Sequence, residues 1–168
     1  MAACRLAAFR WAKLDPLRLL RNGAVAWEFV METEAKTICG GCLCGAVRYQ
    51  GSGEVYNVSH CHCEDCRKSA GAPFVTWASF HRKNFQFTKG KPLELAWAGR
   101  IRSFCATCGS TLTFVTQRDA DEIDVAVATF DQPEVVTPTD HIWTQDRISW
   151  IKLDDHLPQH ARGRTESA

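Results

Sequence analysis

The sequence predicts a mainly β fold with little helix. From Thr37 onward apolar and polar residues alternate in short runs, and clusters of Gly, Pro and Asp bound those runs. A second pattern predicts what ties the strands together. Seven of the nine cysteines fall in three groups, Cys42-x-Cys44, Cys61-x-Cys63-x2-Cys66 and Cys105-x2-Cys108.

The strand signals come in order along the chain. Phe85 and Phe87 alternate before a turn at Lys89-Gly90-Lys91-Pro92, and Leu93, Leu95 and Trp97 alternate after it. Leu112 and Phe114 form the next pair, followed by Ile123, Val125 and Val127. Period-2 runs of this kind read as half-buried strands. One helical turn is expected over Cys66–Ala72, and no long amphipathic helix is visible after Thr37.

A chain of 168 residues is expected to form one domain with a core of its own. The net charge of +1 provides no field to recruit nucleic acid, and no apolar run approaches the roughly 20 residues of a membrane span. Residues 1–36 read as an extension. Over the first thirty residues Arg5, Arg10, Lys13, Arg18 and Arg21 outnumber Asp15 and Glu28, and Leu6, Phe9, Trp11, Leu14, Leu17 and Leu20 give a rough helical rhythm. Without Ser, and with charges and Pro16 breaking every apolar stretch, this segment matches neither a transit peptide nor a secretory signal. A start at Met31 would remove most of it. Residues 37–158 form the expected domain, and 159–168 a frayed polar tail. Nothing in the sequence fixes an oligomeric state.

An odd cysteine count and paired C-x-C and C-x-x-C spacings favour metal chelation in a reducing, cytoplasmic setting over a disulfide framework. Four thiolates close a tetrahedral zinc site, and three leave a position for reaction. Cys42 and Cys44 lie within Gly40-Gly41-Cys42-Leu43-Cys44-Gly45, and Cys105-x2-Cys108-Gly109 has the form of a zinc knuckle. These four are expected to hold a structural zinc. Cys39-x2-Cys42 is an alternative first half; otherwise Cys39 is a buried strand thiol, and Cys4 is a bystander in the extension.

His60-Cys61-His62-Cys63-Glu64-Asp65-Cys66-Arg67-Lys68 is the densest chemistry in the chain. Cys61, Cys63 and Cys66 can reach one zinc. His60 and His62 alternate with them and should point away, although a His in the fourth position would make the site structural. Arg67 and Lys68 add positive charge that could hold an anionic ligand. Zinc with three thiolates is a weak Lewis acid, better suited to a soft exogenous thiol than to water. A thiol entering such a position loses its proton and becomes a nucleophile.

The stretches Gly40 to Tyr49, Cys61 to Lys68 with Gly71-Ala72-Pro73, Phe104 to Ser110, Pro138 to Trp143, and Trp150 with Leu157-Pro158 resemble the glutathione-dependent formaldehyde-activating enzyme family, also called the centromere protein V family. The resemblance runs from about Thr37 to Pro158. It implies a zinc-stapled β-tent fold with two zincs, one on Cys42, Cys44, Cys105 and Cys108 and a catalytic one on Cys61, Cys63 and Cys66. It implies carbon–sulfur lyase-type chemistry, the addition of glutathione to formaldehyde. Arg67 and Lys68 are then candidates for the glutathione carboxylates. His141 is expected either near the open zinc as a proton donor or substrate contact, or in a packed corner with Ile142, Trp143 and Trp150. The expected partners are a small thiol and a small aldehyde, with no nucleic acid and no membrane. The alternative is a non-catalytic zinc-stapled binding module or a glutathione carrier.

Overall fold

The computed structural model describes residues 37–164. The expected extension over 1–36 and its Cys4 lie outside the described residues. Ten strands and one short helix follow in order: β1 (Ile38–Gly41), β2 (Arg48–Gly51), β3 (Tyr56–Cys61), α1 (Glu64–Ala70), β4 (Val75–His81), β5 (Phe85–Lys89), β6 (Leu93–Trp97), β7 (Arg100–Phe104), β8 (Thr111–Thr116), β9 (Asp119–Ala126) and β10 (Asp140–Ile142). The fold is mainly β, as the alternation predicts.

The strands form two sheets. A three-stranded sheet has the order β1-β2-β5, and a seven-stranded sheet has the order β10-β3-β4-β9-β8-β7-β6. Every pairing is antiparallel except that of β10 with β3. The turn at Gly90 therefore does not close a hairpin; it hands the chain from β5 in the small sheet to β6 in the large one.

The core lies between the sheets. Ile38, Val47 and Tyr49 from the small sheet side meet Ala78, Phe80, Ile123 and Val125 from one face of the large one. Burying a side chain the size of Phe80 contributes about 1.5–3 kcal/mol. The other face is set by period 2. Across it Arg102 pairs with Phe114, Phe114 with Asp124, and Asp124 with Ser79, so these four make one transverse row.

Four expectations are corrected. Leu112 and Phe114 do not share a face. The β7–β8 register shifts between Ser103 and Phe104, and this bulge turns Leu112 into the core while Phe114 packs on the opposite side. Leu93, Leu95 and Trp97 are exposed rather than half-buried, because β6 is the edge of its sheet and nothing covers that strand among the described residues. Trp150 is likewise exposed. Finally, Gln159–Arg164 is not frayed. His160 N–H donates to His141 O at 2.8 Å and Trp143 N–H to Arg162 O at 3.1 Å. Arg164 forms an ion pair with the buried Asp140. Among the described residues no helix is long and apolar enough to cross a membrane.

Candidate metal centres and the adjoining cavity

Two thiol clusters form, each from segments that the fold brings together. The four-sulfur cluster joins the β1–β2 turn to the β7–β8 turn, and the Sγ atoms of Cys42, Cys44, Cys105 and Cys108 lie within 4.8 Å of one another. Val47 N–H donates to Cys42 Sγ at 3.2 Å, and the Ser110 hydroxyl lies 3.3 Å from Cys108 Sγ. Leu43 N–H donates to Ser110 Oγ at 3.1 Å and locks the two turns to each other. Gly45 and Gly109 adopt positive φ of 71° and 73°, which lets each turn close behind its sulfurs.

The three-sulfur cluster is made by one turn. Cys61 ends β3, Cys63 caps α1, and Cys66 lies in its first turn. Cys63 Sγ accepts the Cys66 N–H at 3.3 Å, so one residue serves both as helix cap and as cluster member. Gly71, with φ of 61°, ends the helix. The helix runs over Glu64–Ala70, two residues earlier than the sequence suggests at both ends, because the cap is a cysteine.

Both sulfur sets fit a metal ion. Around an ion at the usual zinc–sulfur distance of about 2.3 Å, tetrahedrally placed sulfurs stand about 3.8 Å apart. Cys42–Cys44 and Cys44–Cys105 are 3.6 and 3.8 Å apart, and Cys61–Cys63 are 3.5 Å apart. Cys39 belongs to neither cluster. It sits in β1 opposite Gln50, half-buried.

The clusters differ in surroundings. Cys61, Cys63 and Cys66 line a cavity of about 890 Å³, whereas the four-sulfur cluster does not. Hydrogen bonding from Cys61 and Cys63, then the Trp77 indole N–H at 3.3 Å and the charge of Arg102, hold the Cys66 thiol far below its ordinary pKa. The hydrogen bond to Cys63 is the largest cause pushing Cys61 upward. Arg102 Nη2 lies 3.7 Å from Cys66 Sγ, its guanidinium sits 4.6 Å above the Phe114 ring, and its buried Nη1 has no hydrogen-bond partner among the described residues.

The singled-out residues fare unequally. Arg67 Nε donates to His62 O at 3.1 Å, and Lys68 pairs with Glu64 at 2.6 Å on the exposed side of α1. Neither lines the cavity; Arg100, Arg102, Arg118 and Arg162 do. No local spacing marks these four, because they come from β7, the β8–β9 turn and the C-terminal segment. The period-2 pattern did contain a hint, since Arg100 and Arg102 share a face.

His141 lies away from the cavity. β10 runs parallel to β3 with His141 opposite His60 and Ile142 opposite Cys61, so Ile142 takes the cavity face and His141 the other. His141 is fully buried; its Nδ1 is 2.9 Å from His62 Nε2, and its Nε2 is 3.0 Å from an Asp155 oxygen. Burial, reinforced by His141, pushes the His62 imidazole down to about 4. His60 meets Thr76 Oγ1 at 2.9 Å. As expected, then, both histidines of the cysteine loop point away from its sulfurs. The loop is anchored on its far side by a His62–His141–Asp155 chain.

The fold and site define a β protein with one four-sulfur cluster at its seam and one three-sulfur cluster open to a cavity. Residues 37–146, more than half of the chain, match the model of the glutathione-dependent formaldehyde-activating enzyme family, and the chain belongs to that family. An uncharacterized lyase of Schizosaccharomyces pombe is 35% identical over 77 residues, which cover 45% of this chain. The matched region spans about half, 55%, of that relative. A crystal structure of a Rhodobacter sphaeroides protein covers 72% of this chain and 98% of its own, at 18% identity and a TM-score of 0.48.

Proposed function

We propose that the chain is a zinc-dependent carbon–sulfur lyase-type enzyme that adds glutathione, or a similar thiol, to formaldehyde or another small aldehyde. The single observation behind this reading is the asymmetry of the two clusters: three sulfurs face a cavity of about 890 Å³ and four do not. Cys42, Cys44, Cys105 and Cys108 would hold a structural zinc, and Cys61, Cys63 and Cys66 a catalytic one. With three protein ligands, that zinc would leave a position for an incoming thiol and would make its proton easier to lose.

The chain's own groups do the rest. Arg102 presents an unspent N–H beside Cys66, where it suits a carboxylate or a developing oxyanion. Arg118 and Arg162 are further cations of the wall, while Arg100 is engaged with Asp65 at 3.3 Å. These replace Arg67 and Lys68 as candidates for the thiol's carboxylates. Trp77 and Phe114 make the floor apolar and keep water from the reacting carbon. Uncatalysed thiol addition to an aldehyde is already easy, so orientation and thiolate supply are the main gains. A cytoplasmic setting suits this chemistry, because the ligating sulfurs must remain reduced.

Elemental analysis of fresh protein should give two zincs per chain, and a mild chelator should remove the three-thiol metal first. In cobalt-substituted protein, glutathione should perturb the thiolate-to-metal absorption of one site, and formaldehyde addition should accelerate. A glutathione-independent spectrum would overturn the enzyme reading. Binding without acceleration would instead identify a glutathione carrier.

A further inference from the structure

Adding a thiol to a carbonyl moves one proton. It leaves sulfur before the attack and reaches oxygen after it. His141, the sequence candidate for this task, lies on the other face of the sheet. Glu64, Asp65, Asp124 and Asp146 are the carboxylates of the cavity wall. Glu64 is turned outward to Lys68, and Asp65 pairs with Arg100. Asp146 belongs to the turn Thr144–Asp146, off the sheet.

Asp124 is placed differently. It stands on the large sheet itself, between Phe114 and Ser79 in the transverse row. Ser79 is two residues from Trp77 on β4, so both point to the cavity side, and Trp77 donates its indole N–H to Cys66 Sγ. Ser79 Oγ donates to Asp124 Oδ1 at 2.6 Å, which fixes the carboxyl.

We propose that Asp124 is the proton shuttle of this site, taking the proton of the incoming thiol and returning it to the aldehyde oxygen. The proposal rests on the function proposed above. The carboxylate accepts the S–H proton; the sulfur electron pair forms the C–S bond while the carbonyl π pair moves onto oxygen; the carboxyl then protonates that oxygen. Asp124 ends as it began, and nothing is oxidised or reduced. Burial pushes this carboxyl up to about 7, against the Ser79 hydrogen bond, so it can give or take a proton near neutral pH. The charged groups around it are Glu122 on its own strand and Cys66, which raise it, and Arg164, which lowers it; Arg102 faces the same cavity from β7.

The test compares wild type with Asp124→Asn, both with metal bound. Proton release on glutathione binding is measured at pH 7.5 by calorimetry in two buffers of different ionisation enthalpy. The arriving sulfur anion favours the protonated carboxyl, so wild type should release clearly less than one proton per thiol and Asp124→Asn close to one. The rate of hemithioacetal formation should fall about 100-fold or more in the variant. Equal proton release by the two proteins overturns the shuttle, whatever the rate. If Asp124→Asn does not fold, Ser79→Ala serves instead: it removes the hydrogen bond that favours the carboxylate, so the pH–rate limb should move upward, and an unmoved limb overturns the proposal. Failure of wild-type protein to bind glutathione, read from the cobalt spectrum, overturns the function reading and not the residue assignment alone.

Discussion

A carboxyl set in a cavity wall is destabilising when ionised unless donors surround it. At Asp124 burial is the largest influence; the Ser79 hydroxyl and Arg164 oppose it, and Glu122 and Cys66 add to it. The folded value of about 7 lies above the ordinary 3.8. The stability contributed by the neutral carboxyl is therefore full below about 3.8 and lost as pH rises through about 7. Asn never ionises. Asp124→Asn should raise the melting temperature by roughly 2–5 °C at pH 8 relative to wild type, with the gain shrinking toward pH 5. Melts at both pH values check this; an equal shift at each would show that ionisation of Asp124 costs the fold nothing. His141 is the contrasting residue. Fully buried, it bonds His62 and Asp155 on the face away from the cavity.

At the scale of elements, both clusters are built from turns, and a turn's sulfurs stay together only while the strands behind them do. The four-sulfur cluster ties the β1–β2 turn of one sheet to the β7–β8 turn of the other. The three-sulfur cluster is local to β3 and α1. Cys105→Ser should therefore abolish cooperative folding, since a zinc joining distant segments carries folding free energy. Cys63→Ser should leave a folded protein with one zinc, because Ser still caps α1 while the soft ligand is gone. Metal analysis and thermal melts of the two variants separate these outcomes; loss of folding in both would make the second site structural too. The turn-borne half of each site was legible in the sequence, because C-x-C and C-x-x-C spacings are local geometry. Leu112 and Phe114 were not, because the bulge that separates them arises from pairing with β7.

At the scale of the whole molecule, the C-terminal segment is part of the sheet's edge. Beyond Pro158 the chain pairs with β10, contributes Arg162 to the cavity and places Arg164 on the buried Asp140. Ending the chain at Pro158 leaves that carboxylate unpaired, and breaking a buried ion pair by removing one partner costs about 3–5 kcal/mol. The melting temperature of such a truncation should fall by more than about 5 °C. A smaller change would show that residues 159–168 lie outside the cooperative unit.

By itself the sequence determined the β class, the three local cysteine groups and the outward turn of His60 and His62. Each follows from spacing over a few residues, where period 2 and turn geometry leave little freedom. Tertiary structure decided the rest. The parallel register of β10 on β3 sent His141 to the far face and Ile142 to the cavity. Distant strands supplied Arg100, Arg102 and Asp124 to one cavity wall, which Arg67 and Lys68 do not line. Which residues share a wall depends on how strands pair across the sheet, and that register is set by the packing of the whole core, not by neighbours along the chain.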